Sequence, residues 1–573
     1  MSMILLGNEA VAHGARDAGA RVVSSYPGTP STEITETIAA LGGLYAEWAA
    51  NEKVAAEVAM GAAVAGARAM CCMKHVGLNV ASEVLFTGAY SGINAGLVFV
   101  VADDPGMHSS QNEQDTRFYA MSAHVPILEP STAQEAYDYI RLAFEMSEAC
   151  DLPVILRMTT RIAHTRGIVA PREADHPELR PYEKRPDKYV MMPGFARPRK
   201  HAMMANLDKA RAFAKERGIN RVELGSKQGF LCAGGVYQYV KEAMPGASVY
   251  KVGMPYPLLE EEIKPFASGV ETLYVVEELE PVMELQLNSF GLFPKGKDTF
   301  GKFGEYTAET VACAVKGVPV PEDTVSDLPG RPPVLCPGCP HRGAFTAIKR
   351  LKLNAFGDIG CYTLGAAAPL SAMDTTICMG ASIGMAHGAA LAQGEDMARK
   401  SVAVIGDSTF FHSGLDGLAS ACYNQSDITV LVLDNGTTGM TGHQDNPSTG
   451  MTLARQKVSP ISIEETARAF GVKNIYIADP LNLPEMEQAL RDALAAPGVS
   501  LVVARHKCVL IDGEKKPVYK VNPEVCIGCG VCLQSGCPAL RKQDGKVSIE
   551  PTMCKGCNLC AHLCPTGAIE GGR

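Results

Sequence analysis

Eight cysteines near the C-terminus carry the most constrained chemistry in this chain. They read Cys526-x2-Cys529-x2-Cys532-x4-Cys537-Pro538 and Cys554-x2-Cys557-x2-Cys560-x3-Cys564-Pro565. Two-residue gaps put three sulfurs of each run on one tight loop, facing one iron–sulfur cube. The cysteine before proline supplies a fourth ligand, to the other run's cluster. On that rule Cys526, Cys529, Cys532 and Cys564 hold one [4Fe–4S] cluster, and Cys554, Cys557, Cys560 and Cys537 hold the second. Paired C-x2-C knuckles also bind zinc, but two triple runs, each closed by Cys-Pro, favour clusters. The first run has four residues before its last cysteine where three are usual, which bulges a loop without removing a ligand. Such a chain moves single electrons.

A second group of residues points to another cofactor. Gly406-Asp407-Ser408 follows a predicted strand at 402–405, and Asn435-Gly436-Thr437 follows another at 429–433. Together they resemble the Gly-Asp-x…Asn motif of thiamine diphosphate enzymes. A diphosphate needs a hard cation, and Mg²⁺ takes an octahedral shell of oxygens shared between protein and phosphate. Asp407 and Asn435, at the ends of adjacent strands, can reach one ion, and glycines let backbone approach phosphate. By the pattern of those enzymes, Thr437 completes the protein's share through its backbone carbonyl. Gly-Asp alone is an ordinary turn. Both halves at predicted strand ends give the motif its weight.

The elements that must position these residues are short apolar strands alternating with helical stretches. Strands are predicted at 98–101, 153–156, 229–232 and 273–276, and an Ala/Gly-rich helix at 52–70. Strands alternating with helices imply mostly parallel sheets with ligand sites at the carboxyl ends of the strands. The Pro-, Arg- and Lys-rich stretch after 165 reads as a surface linker, and the Pro-rich 318–333 as a second boundary. A length of 573 residues fits three to five domains. No apolar run is long enough to span a membrane, and the apolar start at 3–6 is too short for a signal peptide. Nineteen cysteines in a large chain with cluster spacing fit a reducing, oxygen-poor cytoplasm better than a disulfide framework. The net charge of −9 argues against nucleic acid as the main partner.

Several segments resemble one family. Tyr26-Pro27-Gly28-Thr29-Pro30-Ser31-Thr32 looks like the Tyr-Pro-x-Thr-Pro-Ser signature that opens the first domain of 2-oxoacid:ferredoxin oxidoreductases. The stretch 103–115, Asp-Asp-Pro-Gly-Met-His-Ser-Ser-Gln-Asn-Glu-Gln-Asp, and Cys336-Pro337-Gly338-Cys339-Pro340-His341-Arg342 resemble its indolepyruvate branch. The resemblance covers essentially the whole chain. It implies α/β thiamine-enzyme domains with mostly parallel sheets and a small C-terminal two-cluster ferredoxin-like domain. In that frame 1–165 binds the thiamine pyrimidine and 166–219 is a linker. Residues 220–320 are a transketolase C-terminal-like domain, 334–512 bind diphosphate and Mg²⁺, and 517–573 carry the clusters.

The family also implies the reaction: oxidative decarboxylation of an arylpyruvate, with coenzyme A as acyl acceptor and electrons leaving singly to external ferredoxin. Glu52 matches the glutamate that activates thiamine. The residues alone leave Glu52 and Glu57 open, and a glutamate at a helix N-terminus is also what the macrodipole favours. Thr29 would lie near the substrate carbonyl. Related pyruvate enzymes hold the substrate carboxylate with an arginine near the end of the 98–102 strand, where this chain reads Asp103-Asp104, leaving Arg117 or Arg342 as substitutes. His341 and His443, and less directly His75 and His108, are candidate acid–base groups, although a lone histidine is more often structural. Cys336-x2-Cys339 alone reads as a zinc knuckle; the family joins it to later cysteines, here Cys361 and Cys508, in a third cluster beside thiamine. The remaining cysteines read mostly as buried small hydrophobes. A smaller gamma-like partner subunit is expected, in an assembly of two large and two small chains. The competing classes are a pure electron carrier, a non-oxidative thiamine lyase, and a relative acting on a non-aromatic 2-oxoacid.

Overall fold

The structure, a computed structural model, describes residues 2–321, 330, 332–514 and 516–571. They form two compact units, Met1–Ser326 and Asp327–Arg573. Most of the Pro-rich boundary expected at 318–333 lies outside the described residues.

The first unit is built on six parallel strands: β1 (Val22–Ser25), β2 (Tyr45–Trp48), β3 (Ala69–Lys74), β4 (Leu97–Asp103), β5 (Ile127–Leu128) and β6 (Val154–Thr159). Their spatial order is β2-β1-β3-β4-β6-β5. Along β4, Val98, Val100 and Ala102 enter one core while Leu97, Phe99 and Val101 enter the other. Both faces are covered, so the strand reads as a continuous apolar run. The helices that matter most for the site are α1 (Glu52–Val64) and α2 (His75–Ser91), which flank β3. The helix expected to run to 70 stops at Val64. Gly66, at φ +99°, turns the chain where an added Cβ would lie 1.9 Å from Arg180 O.

The stretch expected to be a linker differs more. Arg166–Val169 pairs antiparallel with Met3–Leu6. Pro193–Glu216 is a 24-residue helix, α3, whose Met203, Leu207, Ala210 and Ala214 are buried in the two cores of this sheet. Proline suits its first turn, and the basic residues around Pro198 mask its apolar spacing.

A four-stranded sheet completes the unit, formed by β7 (Arg221–Glu223), β8 (Gln228–Ala233), β9 (Ser248–Val252) and β10 (Thr272–Val276) in the order β10-β8-β9-β7. Backbone bonds from Ile127 N to Tyr256 O (3.0 Å) and Glu129 N to Gly253 O (2.9 Å) tie it to the first sheet.

The second unit carries β11 (Asn354–Gly357), β12 (Thr375–Thr376), β13 (Ser401–Gly406), β14 (Thr429–Asp434), β15 (Asn474–Ala478) and β16 (Ser500–Arg505). Their order, β12-β11-β13-β14-β16-β15, is again all parallel and repeats the order of the first sheet strand for strand. The chain ends in two small antiparallel ribbons, Tyr519–Val521 with Ile569–Gly571 and Leu540–Gln543 with Lys546–Ile549. Leu559 and Leu563 of this module share one core with Phe345 and Ile348 of helix α4 (His341–Leu351). Among the described residues no helix is long and apolar enough to cross a membrane.

Candidate functional site

In the first unit the expected residues gather at the carboxyl ends of β1, β3 and β4. The 26–31 loop after β1 is tied down from several sides. Gly28 N donates to Thr32 Oγ1 (3.0 Å), Ser31 Oγ donates to Gly28 O (2.8 Å), and Asn8 Nδ2 donates to Pro30 O (2.7 Å). Thr29 sits half-buried in that loop. Glu52 opens α1 behind an Asn51 cap whose Oδ1 accepts from Val54 N at 2.9 Å. It is 4 % exposed. Its carboxyl lies against the first turn of α2, where a Cβ on Gly77 would stand 2.7 Å from Glu52 Oε1. Glu57, the competing carboxylate, pairs with Lys53 on the surface at 3.1 Å.

Lys74, the last residue of β3, was not singled out by the sequence. Its stem is 3.4 Å from a Cβ built on Gly28, and its Nζ donates to Ser109 O at 3.1 Å. Burial lowers its pKa, opposed by the charges of Asp104 and Glu52. Arg117 is not a free cation: it is buried, pairs with Asp115 (2.6 Å) and Glu277 (2.7 Å), and donates to the carbonyls of Glu278 and Glu280. It locks the two sheets of the unit together. His75 begins α2 with Nε2 3.1 Å from Asn112 O. His108 is more exposed and meets Glu305 at 3.3 Å.

In the second unit the ends of β13 and β14 bring Asp407, Asn435 and Thr437 together. The side-chain amide of Asn435 lies 3.2 Å from Asp407 Oδ1 and 2.8 Å from the Thr437 carbonyl, where its nitrogen can donate to both. A carboxylate, an amide and a backbone carbonyl thus stand close together, and these are the oxygen-bearing groups a hard cation takes. Asp407 is buried, and burial, aided by the nearby Asp434 charge, pushes its pKa up to about 7. A carboxylate held that way gains from a cation. The donor set therefore fits Mg²⁺ and a diphosphate. Ser408 N donates to Asp407 Oδ1 (2.8 Å), and Thr438 Oγ1 donates to Ser408 Oγ (3.0 Å). Gly406 is required by its neighbour, since a Cβ there would lie 2.7 Å from the Tyr362 ring.

Four thiols from distant parts of the unit approach this cradle. Those of Cys339 and Cys361 are pushed up by burial to about 12 and about 11; Cys336 and Cys361 bear on the first, Cys508 and Cys336 on the second. Cys508 N donates to Asn435 O at 2.9 Å, and Cys361 Sγ lies 3.4 Å from a Cβ built on Gly439, beside Asn435.

The C-terminal thiols also fall into groups. Cys526, Cys529, Cys532 and Cys564 line one cavity. Burial raises the Cys560 thiol to about 12, and its neighbours in order of influence are Cys557, Cys537 and Cys554, ahead of Cys532. Of the cysteines read as structural, Cys71, Cys72, Cys150 and Cys232 are buried, Cys313 and Cys422 are intermediate, and Cys378 is exposed.

His341, the first residue of α4, is buried edge-on to Tyr362 (ring centroids 6.2 Å apart), and burial pushes its imidazole down to about 4. Burial thus favours its neutral form. His443 stands in left-handed backbone (φ 68°) at the tip of the loop that returns to Gln444. Arg342 is engaged by backbone carbonyls of two cysteine loops.

Sequence reasoning also missed Asn446, which donates to Asp407 Oδ2 at 3.2 Å, and Asp358, which holds Tyr362 against Gly406 while accepting from Ser382 Oγ at 2.8 Å. Asn446 lies in a long irregular loop with no motif. Asp358 stands three residues before Cys361, and that proximity was the one available signal.

Known families match these parts in order. Residues 13–216 match the family described as pyruvate flavodoxin/ferredoxin oxidoreductase, thiamine diP-bdg. Residues 358–504 match the thiamine pyrophosphate enzyme, C-terminal TPP binding domain, and 519–570 match the 4Fe-4S dicluster domain. Fold and site together define an oxidoreductase of the thiamine- and iron–sulfur-dependent 2-oxoacid:ferredoxin class. The chain is 42% identical to the indolepyruvate oxidoreductase subunit IorA of Pyrococcus horikoshii, over 99% of its own length and 96% of that protein's. It is 40% identical to the IorA of Archaeoglobus fulgidus, over 99% and 97%. A solved 2-oxoglutarate:ferredoxin oxidoreductase from Magnetococcus marinus superposes over 55% of this chain and 65% of its own at a TM-score of 0.48, with 17% identity. The chain belongs to the IorA family of indolepyruvate oxidoreductase subunits.

Proposed function

We propose that this chain carries the oxidative decarboxylation of arylpyruvates, of the indolepyruvate and phenylpyruvate type, to aryl-acetyl-coenzyme A. Electrons leave through [4Fe–4S] clusters to external ferredoxin. The aryl preference rests on the substrate named for the IorA relatives; a non-aromatic 2-oxoacid is the second reading. Thiamine diphosphate, when bound, supplies the carbon nucleophile and electron sink for decarboxylation. Asp407, Asn435 and the Thr437 carbonyl hold the Mg²⁺ that binds its diphosphate. Glu52, rather than surface Glu57, sets the protonation of its aminopyrimidine. Lys74 takes the place of the missing arginine. Its half-buried amine has no carboxylate within ion-pair distance among the described residues and can hold the 2-oxoacid carboxylate beside Thr29.

Cys336, Cys339, Cys361 and Cys508 hold a third cluster, and the two C-terminal sets hold one each. The observation that carries the redox reading is the bond from Cys508 N to Asn435 O. One peptide contact joins the cysteine set to the diphosphate loop, so an electron released there meets an acceptor at once. The working enzyme is two of these chains with two smaller partner subunits, in a reducing cytoplasm. The test is a panel of 2-oxoacids, assayed anaerobically with coenzyme A, viologen dye and the partner subunit. Arylpyruvates should show the highest kcat/KM; an aliphatic 2-oxoacid ahead of them refutes the substrate assignment.

A further inference from the structure

Arg342 is one of the most buried charges in the second unit, at 3 % exposure. Among the described residues no carboxylate pairs with it. Its guanidinium is spent on peptide oxygens instead. Nε donates to Cys336 O at 3.0 Å, Nη2 donates to Leu335 O, and Nη1 donates to Ser535 O at 3.0 Å. Two of these carbonyls belong to the turn that begins the Cys336–Cys339 pair. The third lies two residues before Cys537, in the C-terminal module. Ser535 is itself clamped, donating from Oγ to Cys532 O at 2.8 Å. Gly536 (φ +66°) leaves room for the guanidinium, since a Cβ there would stand 3.0 Å from Nη1.

A guanidinium this deep is costly to bury without an opposing charge. The groups near it that can carry negative charge are four cysteine sulfurs, those of Cys537, Cys339, Cys336 and Cys557. Two of these belong to the set beside the diphosphate loop and two to the second C-terminal set. The planar fork suits this place, because it reaches both loops at once while keeping its charge.

We propose that Arg342 is an electrostatic and mechanical bridge between the cluster held by Cys336, Cys339, Cys361 and Cys508 and the one held by Cys537, Cys554, Cys557 and Cys560. This rests on the reading that both thiol sets hold [4Fe–4S] cubes. A thiolate-ligated cube is anionic, and each added electron makes it more so. A fixed cation between two cubes stabilises the reduced form of both, and nearby charge and hydrogen bonding set cluster potentials. The guanidinium thus raises both potentials together and keeps the step between them small, while its three carbonyl bonds fix their separation. Arg342 touches no substrate. It is a positioning residue.

The experiment is potentiometric titration of the anaerobic holoprotein, followed by electron paramagnetic resonance, beside iron analysis. Arg342→Gln should lower the midpoints of the two flanking clusters by at least a tenfold change in the one-electron reduction constant, about 59 mV. The cluster of Cys526, Cys529, Cys532 and Cys564 should stay put as the internal control. Arg342→Lys, which keeps the charge, should hold both midpoints within a factor of about three in that constant, and it carries the test if the glutamine variant loses iron. Twelve irons per chain in the parent with unmoved midpoints in Arg342→Gln would overturn the bridge and leave the clusters standing. So would an equal shift of all three clusters, or a lysine variant whose flanking midpoints fall by tenfold. Eight irons in the parent would remove the cluster beside the diphosphate loop, and the bridge with it.

Discussion

Gly77→Ala tests whether the position of the Glu52 carboxyl, and not merely its presence, drives catalysis. The added Cβ would stand 2.7 Å from both Cγ and Oε1 of Glu52, whereas ordinary contacts are about 3.5–4 Å. The atoms in the way are the far end of a flexible side chain, so the carboxyl moves by roughly 0.8 Å or more while the backbone stays. A displacement near 1 Å at a reacting centre costs on the order of 10²-fold, so kcat should fall by about 10- to 100-fold. Gly77 lies in the first turn of α2, where alanine is favoured over glycine by up to about 1 kcal/mol. The melting temperature should therefore hold or rise slightly. The assay is 2-oxoacid-dependent dye reduction with the partner subunit, with thiamine diphosphate affinity measured separately by calorimetry. In a Glu52→Gln background the same alanine should cost nothing further, because both changes act through one carboxylate. A folded Gly77→Ala protein within twofold of parental kcat would falsify the positioning argument. A loss of cofactor affinity equal to the loss of rate would make Gly77 a pocket wall instead.

Three further outcomes are expected. Cys361→Ser should take the iron content from twelve per chain to eight and leave the C-terminal signals intact; full retention of iron removes the third cluster. Burial raises the Glu278 carboxyl to about 7, so the folded state binds its proton more tightly than the unfolded chain does. Stability should accordingly fall as pH rises from about 4.5 to about 7, by about 3 kcal/mol in all. Glu278→Gln keeps an oxygen for Tyr306 N (2.9 Å) and should raise the melting temperature at pH 8 but not at pH 4; an equal shift at both pH values sinks the burial argument. Finally, this chain expressed alone should show little arylpyruvate- and coenzyme-A-dependent dye reduction until the smaller subunit is added, and full activity without it would end the two-subunit proposal.

Local patterns were legible in the sequence wherever the physics is local. The predicted strands at 98–101, 402–405 and 429–433 lie inside β4, β13 and β14, because a parallel strand covered on both faces must be apolar without interruption. The two C-terminal cysteine runs were equally plain, since cluster ligands sit on loops whose length is set by the cube. Helix α3 was not legible: its apolar positions are few, its flank is rich in proline and basic residues, and its burial depends on two cores formed by distant strands. Nor was the identical strand order of the two thiamine-type sheets, because topology is set by which strands pair, and pairing leaves no residue-by-residue repeat. The residues alone left Glu52 and Glu57 open, the resemblance favoured Glu52, and the tertiary structure shows that the two share a helix but not a face, one against Gly77 and the other beside Lys53 in solvent. It likewise showed Arg117 and Arg342 already bonded to protein groups, while Lys74 donates only to a backbone carbonyl among the described residues. A cation's availability depends on what it already bonds, and those partners include Glu277, 160 residues from Arg117, and Ser535, 193 residues from Arg342.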